Sequence, residues 1–500
     1  MDLKARCRRL TYLAHRWLGV AGCVLMLVWF LSGIVMLYVG YPKLTPAERL
    51  GSLPVLAADD CCISFAALAP AGQGLVLTSL RGRPTYVVST ADGPRAYSAQ
   101  TGLPDGAVTE SVAVAAAQAF WPRAAPRYGG LLQEDRWTHS RGLDRHRPLH
   151  QVWMDGPTSG TLYVSSATGE VVLDAPLAQQ RWNYVGAWLH WLYMVRDRSV
   201  DPGWSWIVIV LSGACTLLAI SGVVVGVWRW RFRGRYKSGA RTPYREAWMR
   251  WHHVAGLLFS AFVCTWIFSG LMSMNPGGIF SDGGPGPDRQ GMAAAGVSHP
   301  LADPRPVLRA LQQAGFRPVQ LEWRWLGGEA YVVARNAQAD SRIVRAGAAG
   351  LAVQGQWDPQ RVQAAAQALF PGARMQAQVL AQYDAYYYAR HAQAMNGGAP
   401  RGLPALRLDF DTPGRHRVYV DLRTGAVSLD LGRAERVGRW LFYFLHSWDT
   451  PTLLNAGVAR DVAIILLSLG GLALSATGVV LGTRRLAALR RRRRPAAPRA

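Results

Sequence analysis

The chain has 500 residues, half of them apolar, with 20 tryptophans, 17% charged residues and a formal net charge of +24. That length accommodates several domains, and so little charge beside so many amphipathic rings is unusual for a soluble enzyme and suits a protein with two water–lipid interfaces. The six cysteines exclude a disulfide framework: Cys23, Cys215 and Cys264 lie in apolar runs, Cys7 in the basic N-terminus, and the adjacent Cys61 and Cys62 have no second CxxC or His cluster with metal-ligand spacing.

In chain order, a basic tail (1–16) leads into an apolar run at 17–39, long enough to cross a bilayer at about 1.5 Å per residue. Val20 to Cys23 matches a lipoprotein cleavage pattern, but the apolar run before Cys23 is very short and continues past it, so an uncleaved anchor is expected. Residues 40–180 read as an α+β domain, with a helical stretch at 112–120 and a strand pair at 160–165 and 171–174 joined by an Ala-Thr-Gly turn. An aromatic amphipathic helix (181–203), a second span (204–228), a basic loop (229–253) and a third span (254–274) follow. A Gly/Pro-rich segment (275–300) reads as a flexible linker to a second α+β domain (301–432). Another aromatic amphipathic helix (433–461), a fourth span (462–482) and a basic tail (483–500) complete the chain. Each α+β domain also holds an earlier, degenerate strand pair, around 85–90 and 330–334.

The charge is topological. The two tails and the 229–253 loop carry 21 Lys or Arg against Asp2 and Glu246 alone, a net +19 of the +24. Positive-inside retention therefore puts both termini in the cytoplasm and both large domains on the external side, as expected of a bacterial-type inner-membrane protein. Nucleic-acid binding is not needed to explain the charge, and the Arg490 to Arg494 run is suited to anionic lipid. None of the cytoplasmic parts can hold a nucleotide or flavin domain, so any electron donor would be a partner or a membrane-soluble carrier.

Comparison of the halves shows a repeat. At an offset of 237, His15 to Gly19 aligns with His252 to Gly256, Trp29 with Trp266, Ser32 with Ser269 and Gly33 with Gly270. At 256, His190 meets His446, Ser212 meets Ser468 and Gly222 meets Gly478, and upstream Pro148, Asp155, Tyr163 and Thr168 meet Pro404, Asp411, Tyr419 and Thr424. Span, external domain, aromatic helix and span form a unit used twice.

Histidine placement is the sharpest chemical signal. Of eleven histidines, His15 with His252 and His190 with His446 recur at matching positions, the first pair at the cytoplasmic ends of spans and the second in the external aromatic segments. Any one of them could be an interfacial lipid or backbone contact. Two symmetric pairs are what bis-imidazole haem ligation within a helix bundle requires. His253 points about 100° away from His252 on a helix and reads as a supporting or solvated residue. His139, His146 and His150 could form a weak metal cluster or lie in a solvated loop. The Ser-Gly pairs within the spans allow close helix approach or clear space for a porphyrin face. Tyr383, Asp384, Tyr387 and Arg390 sit in an aromatic run that is either a binding surface for a planar or hydroxamate ligand or a strand with one buried face.

His252-His-Val-Ala-Gly-Leu, Ser269-Gly-Leu-Met-Ser-Met-Asn-Pro-Gly, Asp384-Ala-Tyr-Tyr-Tyr and Tyr419-Val-Asp-Leu-Arg-Thr-Gly resemble the PepSY-associated transmembrane helix family, also described as iron-regulated or iron-uptake membrane proteins. The resemblance covers nearly the whole chain. It implies four transmembrane helices with two periplasmic α+β PepSY-like domains, and, as in some members, a di-haem protein that reduces ferric siderophores. Carried over, the ligands of two haem b groups would be His15, His252, His190 and His446. The chain departs from shorter members by its longer external domains and by the Gly/Pro linker at 275–300, which bears on the substrate more than on the fold.

The leading expectation is thus an electron-transfer protein, supplied by quinol or another membrane donor, that reduces a ferric siderophore or other ferric chelate during iron uptake. Iron(II) is held less tightly by hard oxygen donors, so reduction favours release. The alternatives are a non-catalytic regulatory or binding module, as PepSY-type domains are elsewhere, and a ligand transporter. The latter is disfavoured because the spans lack Asp, Glu, Lys or Arg at depth.

Overall fold

The computed structural model describes residues 3–59, 61–64, 74–294, 303–347, 350–396 and 398–493. The chain forms two compact units, one of Met1–Gly40, Trp182–Phe280 and Arg436–Ala500, the other of Tyr41–Arg181 and Ser281–Glu435.

The first unit is helical. Leu3–Met36, Pro202–Arg229 and a last helix beginning at Val458 are long and apolar enough to cross a membrane. Asp201 starts the second of these, its side chain accepting the Trp204 N–H with Pro202 in the first turn, where a missing N–H costs nothing. The Leu3–Met36 helix packs on both of the others, around a core of Met26, Phe30, Cys215, Leu218, Val263 and Ile267. The tail expected at 1–16 is helical from Leu3 onward and continues directly into the span.

The run read as one span at 254–274 is instead a bent pair, Ala247–Leu258 and Ser260–Met272, meeting at 72°. Taken as one broken span, it makes a fourth crossing. No proline marks the break. Phe259 leaves helical geometry (φ −98°, ψ 6°), and its ring occupies the space beside Gly470, where a Cβ would overlap it. Gly471 makes the same allowance for the Phe30 ring. Two adjacent glycines on the last helix therefore admit two aromatic rings, and one of those rings sits at the bend.

The two aromatic segments are also corrected. In place of a single helix over 181–203 there are short pieces, Leu177–Val185, Ala187–His190 and Tyr193–Val195. Gly186 separates the first two, where a Cβ would press to 3.1 Å on Val35, and Leu192 takes a left-handed conformation. In place of one helix over 433–461, Arg433–Gly438 runs into a π-helical turn at Arg439–Phe444, then Leu445–Ser447, and stops at left-handed Trp448. A π turn shifts the facing of the residues after it and is often found beside functional groups; here it immediately precedes His446.

The second unit is built from fifteen strands among the described residues: β1 (Leu75–Leu80), β2 (Arg83–Thr90), β3 (Gly93–Ser98), β4 (Ala125–Leu132), β5 (Leu149–Asp155), β6 (Gly160–Ser165), β7 (Val171–Pro176), β8 (Gln320–Leu326), β9 (Glu329–Arg335), β10 (Ser341–Gly347), β11 (Gly350–Gln354), β12 (Met375–Leu380), β13 (Ala405–Phe410), β14 (Arg417–Asp421) and β15 (Ala426–Leu431). They form a seven-stranded sheet and two four-stranded sheets, β4-β5-β6-β7 and β12-β13-β14-β15. The four-stranded sheets match closely: each has a bulge at the same place, Tyr163/Val164 and Tyr419/Val420. Each is covered by a helix, Glu110–Phe120 in one and Pro359–Ala366 in the other.

The expected pair of separate domains is not what forms. The seven-stranded sheet runs β11-β10-β9-β8-β1-β2-β3, so the degenerate strand pairs of both halves belong to one sheet. β1 and β8 join antiparallel, with Leu75 opposite Trp323 and Thr78 opposite Gln320. Either half alone would leave an exposed edge there. Leu75, Leu77, Leu321 and Trp323 are at most 2% exposed, and burial of such side chains stabilises by roughly 1.5–3 kcal/mol each. Cys61 and Cys62 lie buried in this same core. The segment read as a flexible linker is partly built in: Met292 is buried against Trp357 and its neighbours, and the Asp282 carboxylate accepts the Ala434 N–H. Residues 295–300 of that segment lie outside the described residues.

Candidate cofactor site at the paired histidines

Both histidine pairs meet inside the helical unit. The ring centres of His15 and His252 are 6.3 Å apart with planes at 40°, and those of His190 and His446 are 6.1 Å apart at 72°. Each pair joins a residue from one half of the chain to its counterpart in the other.

The partners of the Nδ1 atoms fix which nitrogen is free. His15 Nδ1 lies 3.3 Å from the Leu218 carbonyl, which can only accept. His252 Nδ1 lies 3.0 Å from Thr477 Oγ1, whose proton is already given to the Leu474 carbonyl. His190 Nδ1 is 3.0 Å from Ser32 Oγ, and that hydroxyl donates to the Val28 carbonyl at 2.7 Å. His446 Nδ1 is 3.0 Å from Ser269 Oγ, which donates to the Trp266 carbonyl at 2.9 Å. A hydroxyl with its one proton committed accepts from the imidazole, so all four rings are the Nδ1–H tautomer. Each Nε2 keeps its lone pair. A histidine held through Nδ1–H by an acceptor is oriented and made more basic as a ligand through Nε2.

The spacing can be tested against a shared metal. Two metal–imidazole bonds of about 2 Å, plus about 1.1 Å from each nitrogen to its ring centre, give roughly 6.3 Å between centroids. Both pairs meet that distance. Among the described residues no group of three or more His, Cys, Asp or Glu could hold a metal ion, so two imidazoles would serve a metal whose remaining ligands arrive with it, as in a metalloporphyrin.

Space is present at the first pair. A cavity of about 360 Å³ is lined by His15, His252, Gly19, Gly222, Gly256 and Gly478 among others, within the range of small-molecule and cofactor pockets. A Cβ at Gly222 would fall 2.8 Å from His15 Cε1. A Cβ would lie in ordinary contact with the other three rings: 3.7 Å from His252 at Gly478, 3.8 Å from His190 at Gly33 and 3.7 Å from His446 at Gly270.

His253 cannot serve as a further ligand. Its Nδ1 is 2.7 Å from Thr242 Oγ1 and its Nε2 is 2.9 Å from the Gly226 carbonyl. Both nitrogens are used, and the buried ring ties the end of the Pro202–Arg229 helix to the following loop.

In the sheet unit, His139, His146 and His150 do not gather. His139 faces Glu134 (3.2 Å), His146 faces Ser165 (3.0 Å) and His150 faces the Tyr128 hydroxyl (2.9 Å). Burial, with a smaller contribution from Arg145, pushes the His146 pKa down to about 4. Burial, followed by the nearby Glu48 charge, pushes the Asp174 carboxyl up to about 7.

The aromatic segment proposed as a ligand surface is largely a folded turn. Asp384 Oδ1 accepts the N–H groups of Tyr386 (2.8 Å) and Tyr387 (2.7 Å), and its Oδ2 accepts the Tyr419 hydroxyl at 2.8 Å. Tyr387 is fully buried, stacks on Tyr419 at 4.9 Å and donates to the Gly402 carbonyl. Asp384 and Tyr387 are therefore committed to structure. Tyr383 remains exposed, donating to the Arg401 carbonyl, and Arg390 is half-buried on the same segment. The other half repeats the turn, with Asp135 accepting the Trp137 N–H (2.9 Å) and the Tyr163 hydroxyl (2.6 Å). Sequence reasoning missed Asp135 because Tyr386-Tyr387 is replaced there by Trp137-Thr138. It also missed Thr477 and the acceptor role of Ser32 and Ser269, although the repeated Ser-Gly pairs were the signal.

Long apolar helices, a sheet-bearing unit and paired interior histidines define a multi-pass membrane protein with sheet domains. The family model described as the PepSY-associated TM region matches residues 13–315, more than half of the chain. The protein belongs to that family, and the match spans His15, His190 and His252. Comparison with curated proteins gives no match.

Proposed function

We propose that the protein is a haem-containing electron-transfer protein of the bacterial inner membrane, which reduces a ferric siderophore or other ferric chelate on the periplasmic side during iron uptake. One observation carries this reading: two histidine pairs, each drawn from both halves, have ring centres 6.3 and 6.1 Å apart, with every Nδ1 engaged and no Nε2 hydrogen-bonded among the described residues.

His15 with His252 would hold one haem b and His190 with His446 a second; a bis-imidazole iron porphyrin supplies a reversible one-electron couple. The chain's own groups do the rest. Ser32, Ser269, Thr477 and the Leu218 carbonyl set the tautomer and aim the rings. Gly222 and its counterparts leave room beside the rings. Phe30, Phe262, Trp266 and Met26 keep the core between the helices dry. The matching serine partners of His190 and His446 support a duplicated span–domain–span unit, and the bent Ala247–Leu258/Ser260–Met272 pair would be its third crossing. With both termini in the cytoplasm, the basic segments meet the inner leaflet. A quinol or another membrane donor would supply electrons.

The test is a dithionite-reduced minus oxidised absorption spectrum of the purified protein. A split-free Soret shift with b-type α and β bands is expected. A colourless protein from haem-replete cells refutes the reading and leaves a binding or regulatory module.

A further inference from the structure

The cavity around His15 and His252 has two arginines at its rim, Arg16 and Arg485. Both are exposed on one side, and neither makes an ion pair or hydrogen bond among the described residues. Their neighbours are otherwise engaged: Arg484 pairs with Glu246 at 2.9 Å, and Arg229 donates to the Tyr12 hydroxyl.

The two come to one level. The first and last helices run antiparallel, with Gly471 against Phe30, Gly478 against Cys23 and Gly482 against Val20. Arg485 lies about one turn beyond Gly482, and Arg16 about one turn before Val20, in the same direction. Two guanidinium groups therefore share one end of a cavity that has no acidic side chain in its lining. Like charges so placed repel unless an anion lies between them. Positive-inside topology accounts for basic residues on this side but not for two unpaired ones lining the same cavity as a histidine pair.

We infer that Arg16 and Arg485 bind the two carboxylates of a planar macrocycle whose metal sits between His15 and His252, which orients its carboxylate edge toward that rim. This rests on the haem reading above. Guanidinium is suited to the role, since it stays charged and meets a carboxylate with two parallel N–H groups. The arginines near His446 are differently engaged: Arg439 is paired with Asp449 and Arg460 with Asp461.

The experiment uses full-length His446→Ala protein in detergent, depleted of haem, so that only the His15–His252 site is read. It is titrated with iron protoporphyrin IX and with its dimethyl ester, following the Soret band and tryptophan quenching. The parent should prefer the free acid. Arg16→Gln and Arg485→Gln should each weaken free-acid binding about tenfold, and together roughly a hundredfold, with ester binding unchanged. Lys at both positions should restore most of the preference. The acid-to-ester ratio is insensitive to a general loosening of the fold. An equal ratio in parent and double variant overturns the assignment and leaves the haem reading intact. A parent and wild-type protein that bind no porphyrin overturn both.

Discussion

His190 and His446 come from opposite halves of the chain, yet their ring centres lie 6.1 Å apart and each gives its Nδ1–H to the serine at the matching position of a neighbouring helix, Ser32 or Ser269, at 3.0 Å. The pair is thus aimed from behind by two identical contacts, and what each contact does can be measured separately.

Ser269→Ala removes the acceptor behind His446 and leaves a buried N–H without a partner. Loss of such a supporting contact typically lowers metal affinity by 10–100-fold. Haem affinity at this pair should fall by about that factor, with Ser32→Ala giving a similar loss through His190. Haem titration of each variant in a His15→Ala background reads the effect. Undiminished affinity in both would show that the serines only pack.

Gly222→Ala places a methyl group 2.8 Å from His15 Cε1. The ring must move, and the His15–His252 site should lose its haem while the other pair keeps its own. Gly213, on the same helix, has nothing within 4 Å of an added Cβ, so Gly213→Ala should be silent. Haem content per chain separates the two.

Asp384→Ala leaves the Tyr386 and Tyr387 N–H groups and the Tyr419 hydroxyl without their acceptor. A buried donor so orphaned costs about 1–3 kcal/mol. The thermal midpoint of the sheet unit should fall, and Asp135→Ala should act in the same way. Ferric chelate affinity unchanged in the folded fraction is the expected companion result.

Stability of the sheet unit should depend on pH in two opposed ways. The unfolded His146 side chain titrates near 6.5 and the folded one near 4, so below 6.5 the unfolded chain holds the proton more tightly. Stability is lost as pH falls from 6.5 toward 4, and His146→Asn should flatten that limb. Asp174 moves from 3.8 to about 7, so the folded chain holds its proton more tightly, and stability is lost as pH rises from about 4 to 7. Asp174→Asn should raise the thermal midpoint at pH 8 and change little near pH 4.

Much of the site was legible because it depends on fixed offsets in the chain. His15, His252, His190 and His446 stand out at constant spacing, and the structure brings together the two pairs that the spacing suggests. The helical character of the spans and the last two strands of the first four-stranded sheet, β6 and β7, were equally visible in periodicity and turn chemistry, while β4, β5, β12 and β13 were not. What stayed hidden depends on contacts between distant residues. Nothing local says that β1 pairs with β8, because that choice is made by two edges that each need covering. The bend at Phe259 has no proline, and the glycine that makes room for its ring, Gly470, lies on another helix. The aromatic segments look like amphipathic helices, yet Leu192 and Trp448 adopt left-handed backbone that their side chains disfavour. The Asp384 turn looked like a ligand surface because a buried carboxylate ringed by tyrosines has the same composition as an exposed one.

The central claim is one haem for each histidine pair, and the most direct measurement is pyridine haemochrome quantification of the purified wild type, His15→Ala, His446→Ala and the double variant. The account predicts about two b-type haems per chain in the wild type, one in each single variant and none in the double. A wild type without haem, or single variants that both keep two, would contradict it.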